Sequence, residues 1–302
     1  MKKRLVALSI LVFATTILVL GVLFLMQRPS GDDASDIDEI VAPTEEDEGV
    51  DEAAKTEVQS VDFQAVVEDW ASSVGGSKSI MIYDLDKNEL VGEYNSEEDY
   101  NTASLYKLFV VYEGYRRVES GVWPKDEYLA ATGQTILECL DLAIRESDST
   151  CAEALWGMIG HEELDRIIRD DYKITSSDIS SLISNPRDIL KMMQLFYQHA
   201  DVTDPTLIER MQDSFLNQPV TTYDWRQGLP SGFSVAKVYN KVGWDYDLDG
   251  NHWNLYHDAA IVEFPEADRH FAVVAMTNFI SPHQIKRLGT MIEESFLAQT
   301  RL

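Results

Sequence analysis

Ser104 and Lys107 are the first residues of the chain whose types and spacing could do chemistry together. They lie in "NTASLYKLFVVYEGY" (101–115), at the start of a predicted helix. A separation of three on a helix puts both side chains on one face, about 5–6 Å apart at Cβ. A serine hydroxyl needs an adjacent base, and a lysine can serve where burial and a nearby positive charge favour its neutral form. The pair is therefore a candidate nucleophile and base, and the alternative is a helix cap beside a surface lysine.

A second pair with the same spacing, Ser234 and Lys237, lies in a predicted strand over 232–244. An odd separation in a strand sends two side chains to opposite faces of the sheet. We therefore expect that these two residues cannot meet, and that the first pair alone is chemically competent.

A serine and lysine pair also needs a second cation and a group that passes a proton to the leaving atom. "RESDSTCAEAL" (145–155) places Ser147, Asp148 and Ser149 in a turn between two predicted helices, and "NKVGWDYD" (240–247) contains Lys241. Taken one at a time, these residues could be helix caps and a strand lysine. Three motifs in this order, "SLYK", "SDS" and "KVG", are more specific than any one of them.

The chain resembles the class A β-lactamases and penicillin-binding proteins over about 60–300 through these three motifs. The resemblance implies that Ser104 is the acylated nucleophile and Lys107 its base. It implies that Ser147 relays the proton to the leaving nitrogen, and that Lys241 binds the substrate carboxylate and favours neutral Lys107. The backbone N–H groups of Ser104 and of Trp244, which follows Gly243 of "KVG", would form the oxyanion hole.

The chain also departs from this family at the site. Ser149 stands where the family has the asparagine that holds the acyl side chain, and Val242 replaces a threonine that helps to bind the carboxylate. The deacylating glutamate of the family is missing from "DDYKITSSDISSLISNPRDI" (170–189). Asp178 loosely echoes its motif, but a capping or turn role suits it better. We therefore predict that an acyl-enzyme forms and that its deacylation is slow.

The order of predicted elements gives the fold class. A helix (61–74) precedes two short strands (79–95), a long helical region (104–215), three strands and a closing helix (281–299); the three strands are 232–244, 257–265 and 269–279. We expect an α+β fold of three layers (α/β/α), with an antiparallel sheet of about five strands flanked by helices and a helical lobe.

The N-terminal 58 residues differ in composition from the rest of the chain. Residues 5–26 are uncharged and apolar over a length that can span a bilayer, and the basic residues precede them. We predict a transmembrane signal anchor (1–28) with a cytoplasmic N-terminus, an acidic disordered tether (29–58) and an extracytoplasmic hydrolase domain (59–302). A cleaved signal peptide is the alternative.

The net charge and two candidate metal-binding patterns indicate which classes of ligand the chain is expected not to bind. The net charge of −27 argues against nucleic-acid binding, which needs clustered Lys and Arg. The acidic turn in "DYDLDGNHWNLY" (245–256) has Tyr256 where a calcium loop needs a glutamate, and His252 and His257 have no nearby third zinc ligand. We predict a hairpin turn, no metal, no cofactor and a monomer. Cys139 and Cys151 could form a disulfide or remain two buried thiols.

The predicted function is a membrane-anchored serine hydrolase that acts through an acyl-serine. Its substrate would be a β-lactam or a peptidoglycan stem peptide, and its lipid contact would be residues 5–26. The alternative is a catalytically silent cell-wall-binding or sensor domain that keeps the fold. Convergence of Ser104, Lys107, Ser147 and Lys241 on one cleft would favour catalysis.

Overall fold

The structure is a computed structural model that describes residues 61–218, 226–246 and 253–300. The predicted anchor (1–28) and tether (29–58) lie outside the described residues, so these expectations and the domain boundaries stay predictions. Among the described helices, none has the length and hydropathy that a bilayer crossing requires.

An antiparallel sheet of five strands forms the centre of the described region, in the order β2-β1-β9-β8-β7. Its strands are β1 (Ser77–Asp84), β2 (Glu89–Tyr94), β7 (Lys237–Tyr246), β8 (Trp253–Phe264) and β9 (Arg269–Asn278). Two further pairs of two-residue strands are β3 (Tyr100–Asn101) with β6 (Ile183–Ser184), and β4 (Tyr128–Leu129) with β5 (Gln134–Thr135).

Helices lie on both faces of this sheet. They are α1 (Gln64–Ser73), α2 (Tyr106–Glu119), α3 (Ile136–Arg145), α4 (Ser149–Ile159), α5 (His161–Asp170), α6 (Pro186–Gln198), α7 (Pro205–Leu216) and α8 (Pro282–Thr300). The apolar residues of the sheet alternate between two cores. Val274 of β9 packs into the core beneath α2 and α6, whereas Val273 packs into the core beneath α1 and α8.

Local capping explains several helix starts. Asn185 accepts the backbone N–H of Asp188 at 3.0 Å, and Pro186 occupies the first position of α6, as the sequence predicts. Thr135 and Glu138 form a reciprocal capping box at α3. These caps fix the helical region whose turns carry the site residues.

The predicted α+β fold with its antiparallel sheet and flanking helices is confirmed, but the predicted start of β7 is wrong. β7 begins at Lys237, so Ser234 lies in the preceding loop rather than in a strand. The carboxylate of Glu293 accepts the backbone N–H groups of Ser234 and Val235 at 2.9 Å, which satisfies them outside the sheet. Lys237 instead bonds to Glu263, so the two residues of the second pair have separate partners.

Cys139 of α3 and Cys151 of α4 form a disulfide, with their Cα atoms 4.8 Å apart. Of the two possibilities that the sequence leaves open, the structure contains the bridge. It joins the two helices that flank the turn of Ser147.

Candidate active site

Ser104 lies in a single 3₁₀ turn, Ala103–Leu105, which leads directly into α2. The N–H of Leu105 donates to the carbonyl oxygen of Thr102 at 2.9 Å and closes this turn. Lys107 follows in the first turn of α2, and its Nζ lies 2.9 Å from Ser104 Oγ. The spacing of three residues therefore brings the two reactive groups into hydrogen-bond contact.

Ser147 occupies the turn between α3 and α4. Its φ of 55° is in the left-handed region, which non-glycine residues adopt rarely and mostly in turns and functional sites. Asp148 caps α4 by accepting the N–H of Cys151 at 2.7 Å, which fixes this turn from one side. The carbonyl oxygen of Ser147 then accepts a hydrogen bond from Lys107 Nζ at 2.8 Å, and its Oγ lies 3.3 Å from the same nitrogen.

Lys241 reaches this turn from the opposite side. It lies on β7, and its Nζ is 2.9 Å from Ser147 Oγ and 2.9 Å from the carbonyl oxygen of Val242. The hydroxyl of Ser147 therefore lies between two lysines. The structure brings Ser104, Lys107, Ser147 and Lys241 into one continuous hydrogen-bonded chain.

Burial lowers the pKa of both lysines. Each is about 1% exposed. Loss of hydration lowers the pKa of Lys107 to about 8, against the raising effects of the Asp148 and Glu153 carboxylates. Burial, together with the charge of Lys107, also lowers the pKa of Lys241 well below its ordinary value. Lys107 therefore has an accessible neutral form near neutral pH, which a general base requires.

Gly243 lets β7 approach the turn of Ser104. A Cβ at this position would lie 2.7 Å from the Thr102 carbonyl oxygen and 3.2 Å from the Ser104 backbone nitrogen. Only a residue without a side chain allows this contact. Trp244, whose N–H is the predicted second oxyanion donor, follows directly on the same strand, and its role stays a prediction.

Ser149, the residue in place of the family asparagine, also belongs to the site. Its Oγ accepts a hydrogen bond from Lys107 Nζ at 3.1 Å. Ser149 is exposed at the start of α4, beside the turn of Ser147. The structure therefore places all seven predicted site residues on the nucleophile turn, the Ser147 turn or the facing part of β7.

The loop before α6 lies against the nucleophile turn but brings no glutamate to it. Thr102 donates its N–H to the carbonyl oxygen of Leu182 at 2.8 Å, and β3 pairs with β6. Asp178 is exposed and accepts hydrogen bonds from Ser180 and Ser181, which is the turn role expected for it. Asp188 is buried and accepts hydrogen bonds within the same loop.

His257 is fully buried, and both its ring nitrogens contact backbone groups. Nε2 lies 2.7 Å from the Asn101 carbonyl oxygen, and Nδ1 accepts the N–H of Thr277 at 2.9 Å. Burial lowers its pKa to about 4, so the ring is neutral. His252 and the acidic turn at 247–252 lie outside the described residues. The residues that the structure describes contain no cluster of metal-ligating side chains.

Tyr106 lies beside Lys107 and bonds to Glu153, and the sequence motifs indicated neither residue. The Tyr106 hydroxyl donates to Glu153 Oε1 at 2.8 Å, and Lys107 Nζ lies 5.4 Å from the centre of the Tyr106 ring. The signal was present in the sequence, because Glu153 lies four residues after Ser149 and so on the same helix face.

The three-layer fold and the serine and lysine site define a β-lactamase-like serine hydrolase fold. The chain belongs to the beta-lactamase enzyme family, whose model matches residues 61–294. A comparison with curated protein sequences finds no significant match.

Solved structures with the same fold include PBP-A and class A β-lactamases. The structure of PBP-A superposes with a TM-score of 0.65 at 16% identity, covering 78% of this chain and 96% of that chain. The class A β-lactamase from Mycobacterium abscessus has a TM-score of 0.62 at 17% identity, covering 76% and 99%. An ancestral class A β-lactamase (GNCA) has a TM-score of 0.64 at 16% identity, covering 76% and 100%. At these identities the likeness supports the fold.

Proposed function

We propose that the protein is a membrane-anchored, extracytoplasmic serine hydrolase that forms an acyl-serine on a β-lactam or a cell-wall peptide. The observation that supports this most is the hydrogen-bonded chain from Ser104 through Lys107 and Ser147 to Lys241. A silent binding domain would not need a buried lysine whose pKa is lowered to about 8 beside a serine hydroxyl.

Acylation follows this chain of contacts. Neutral Lys107 takes the proton of Ser104 Oγ as that oxygen attacks the substrate carbonyl carbon. Ser147 Oγ, 3.3 Å from Lys107 Nζ, passes a proton to the leaving nitrogen and recovers one from Lys107. Lys241, 2.9 Å from Ser147 Oγ, is near enough to attract a substrate carboxylate beside this hydroxyl. The leaving amine then departs, and the acyl group remains on Ser104.

Deacylation is slow in this proposal because the loop before α6 supplies no glutamate to activate water. Asp178 is held by Ser180 and Ser181 at the exposed end of its turn. Asp188 is held by the backbone N–H of Ser176 and by Ser177 Oγ. Both aspartates therefore stabilise the loop rather than face the acyl group.

The proposed location rests on the sequence and on one covalent feature. Residues 5–26 are long and apolar enough to anchor the chain, with the basic residues on the cytoplasmic side. The Cys139–Cys151 disulfide supports an oxidising compartment for the folded domain. In this proposal the acyl group passes from Ser104 to water or to an amine, and the acylation step is the same for both acceptors.

Stopped-flow measurement of nitrocefin cleavage by the full-length chain in detergent tests this proposal. We expect a burst of about one product per protein, followed by slow steady turnover, because acylation outpaces deacylation. Ser104→Ala should abolish the burst. Rapid, saturable turnover without a burst would contradict slow deacylation, and the absence of both burst and turnover would favour the silent domain.

A further inference from the structure

His257 is a buried residue of β8 that lies beside the nucleophile turn (Ala103–Leu105). It stands directly opposite Gly243 in the pairing of β8 with β7. Side chains of directly opposed residues point to the same face of a sheet. That face meets the nucleophile turn, because a Cβ on Gly243 would lie 3.2 Å from the Ser104 backbone nitrogen. The imidazole of His257 therefore lies against the segment that carries Ser104.

The ring of His257 takes the place of a backbone partner between β8 and β9. The pairing of these two strands is interrupted between Leu255 and Asp258, and there the N–H of Thr277 donates to His257 Nδ1 at 2.9 Å. A backbone N–H can only donate, so Nδ1 has no proton and the neutral ring carries its proton on Nε2. Nε2 donates this proton to the carbonyl oxygen of Asn101 at 2.7 Å. The tautomer of His257 is thus set by β9 and directs a donor at β3.

Asn101 connects His257 to the residue that precedes the nucleophile. Its carbonyl oxygen accepts the hydrogen bond from His257, and its side-chain Oδ1 accepts the N–H of Ala103 at 2.9 Å. Ala103 has a φ of 43°, in the left-handed region that a non-glycine residue keeps only where its surroundings hold it there. Because Ser104 follows Ala103 directly, the conformation of Ala103 sets the direction of the Ser104 side chain and backbone N–H.

The imidazole has little freedom to turn. The ring of Tyr100 packs against it edge-on, with ring centres 5.7 Å apart. The Tyr100 hydroxyl in turn lies 2.9 Å from Ser79 Oγ on β1, which ties β3 to the central sheet. The donor that reaches Asn101 therefore has a fixed position relative to the sheet.

We propose that His257 is a positioning residue that sets the reactivity of Ser104. Its Nε2–H holds the backbone of Asn101, and Asn101 holds Ala103 in its left-handed conformation. This conformation keeps Ser104 Oγ 2.9 Å from Lys107 Nζ. Both ring nitrogens of His257 bond to backbone groups, so His257 acts through the nucleophile turn rather than on the substrate. This role rests on the proposed acyl-serine function and concerns the rate of its first step.

Two substitutions of His257 separate its two hydrogen bonds. In His257→Asn the amide oxygen can replace Nδ1 as the acceptor for Thr277, but no donor reaches Asn101. In His257→Gln the amide nitrogen can replace Nε2 as the donor to Asn101, but the acceptor for Thr277 is lost. Acylation of the full-length chain by a fluorescent penicillin, measured over a series of concentrations, gives the limiting rate and the half-saturating concentration of each variant.

We expect His257→Asn to lower the limiting rate about tenfold and to leave the half-saturating concentration unchanged, because it removes a hydrogen bond that orients the nucleophile. His257→Gln should stay within about threefold of the wild-type limiting rate, since it keeps that hydrogen bond. A merely structural role would make the two variants alike, because each loses one buried hydrogen bond. A wild-type limiting rate in His257→Asn, equal slowing in both variants, or a change confined to the half-saturating concentration would overturn the role.

Asn101→Ala tests the same connection at an exposed residue, and it decides the question if a variant of His257 does not fold. It removes the Oδ1 acceptor of the Ala103 N–H. We expect a limiting rate about tenfold lower and an unchanged half-saturating concentration, and a wild-type limiting rate would overturn the role. No fluorescent adduct on the wild-type chain would instead overturn the proposed acyl-serine function.

Discussion

The protonation of Lys107 predicts how acylation depends on pH. Loss of hydration lowers its pKa to about 8, and the neutral form is the base. At pH 7 about one molecule in ten then has neutral Lys107, and at pH 6 about one in a hundred. Acylation by a fluorescent penicillin, followed by rapid quenching and gel fluorescence, should therefore rise about tenfold from pH 6 to 7 and reach half its plateau near pH 8.

A change of one neighbouring charge should move this profile. The carboxylate of Asp148 raises the pKa of Lys107, so Asp148→Asn should shift the midpoint of acylation to lower pH. Asp204→Asn is a matched control, because Asp204 also caps a helix, α7, and does not act on Lys107. That variant should leave the midpoint unchanged.

Two results would refute this reasoning. A flat acylation rate between pH 6 and 9 would mean that Lys107 does not limit acylation through its neutral form. A midpoint that moves to higher pH in Asp148→Asn would mean that the carboxylate does not stabilise the ammonium form. The first result would remove Lys107 from the role of base, and the second would remove Asp148 as a group that raises the pKa of Lys107.

Three further substitutions test the close approach of β7, the disulfide and the role of Lys241. Gly243→Ala should cost about 1–3 kcal/mol of unfolding free energy and suppress acylation, because its Cβ meets the nucleophile turn; Gly157→Ala, which meets nothing within 4 Å, should leave acylation unchanged. Cys139→Ser with Cys151→Ser should lower the urea unfolding free energy by about 3 kcal/mol, and equal stability would contradict a formed bridge. Lys241→Met should slow acylation by about a hundredfold or more, because it removes the lysine that touches Ser147 Oγ, whereas wild-type rates would exclude Lys241 from the mechanism.

The element order could be predicted because it depends on local patterns. The apolar spacing that indicates α1 and the cap and proline that begin α6 each act within a few residues. The start of β7 could not be predicted, since the Glu293 carboxylate that binds the N–H of Ser234 is 59 residues away. The pairing of β3 with β6 was missed for the same reason, because each strand has two residues and no periodicity.

The site residues also differ in whether their contacts are local in the sequence or span many residues. Ser104 and Lys107 could be found from helical spacing, because the contact lies within one turn. Lys241 meets Ser147 across 94 residues, so only the resemblance to a family indicated it. Glu153 belongs to none of the three motifs, and its contact with Tyr106 spans 47 residues. Sequence reasoning therefore predicted the residues that meet at the site and left out Tyr106 and Glu153, which lie outside the three motifs.

Intact-mass analysis of the full-length chain with benzylpenicillin tests the central claim most directly. The account predicts a mass increase equal to one whole penicillin on the wild-type chain, mapped by peptide digestion to Ser104 and absent from Ser104→Ala. An unmodified wild-type chain with undegraded drug, or an adduct that persists in Ser104→Ala, would contradict acylation at Ser104.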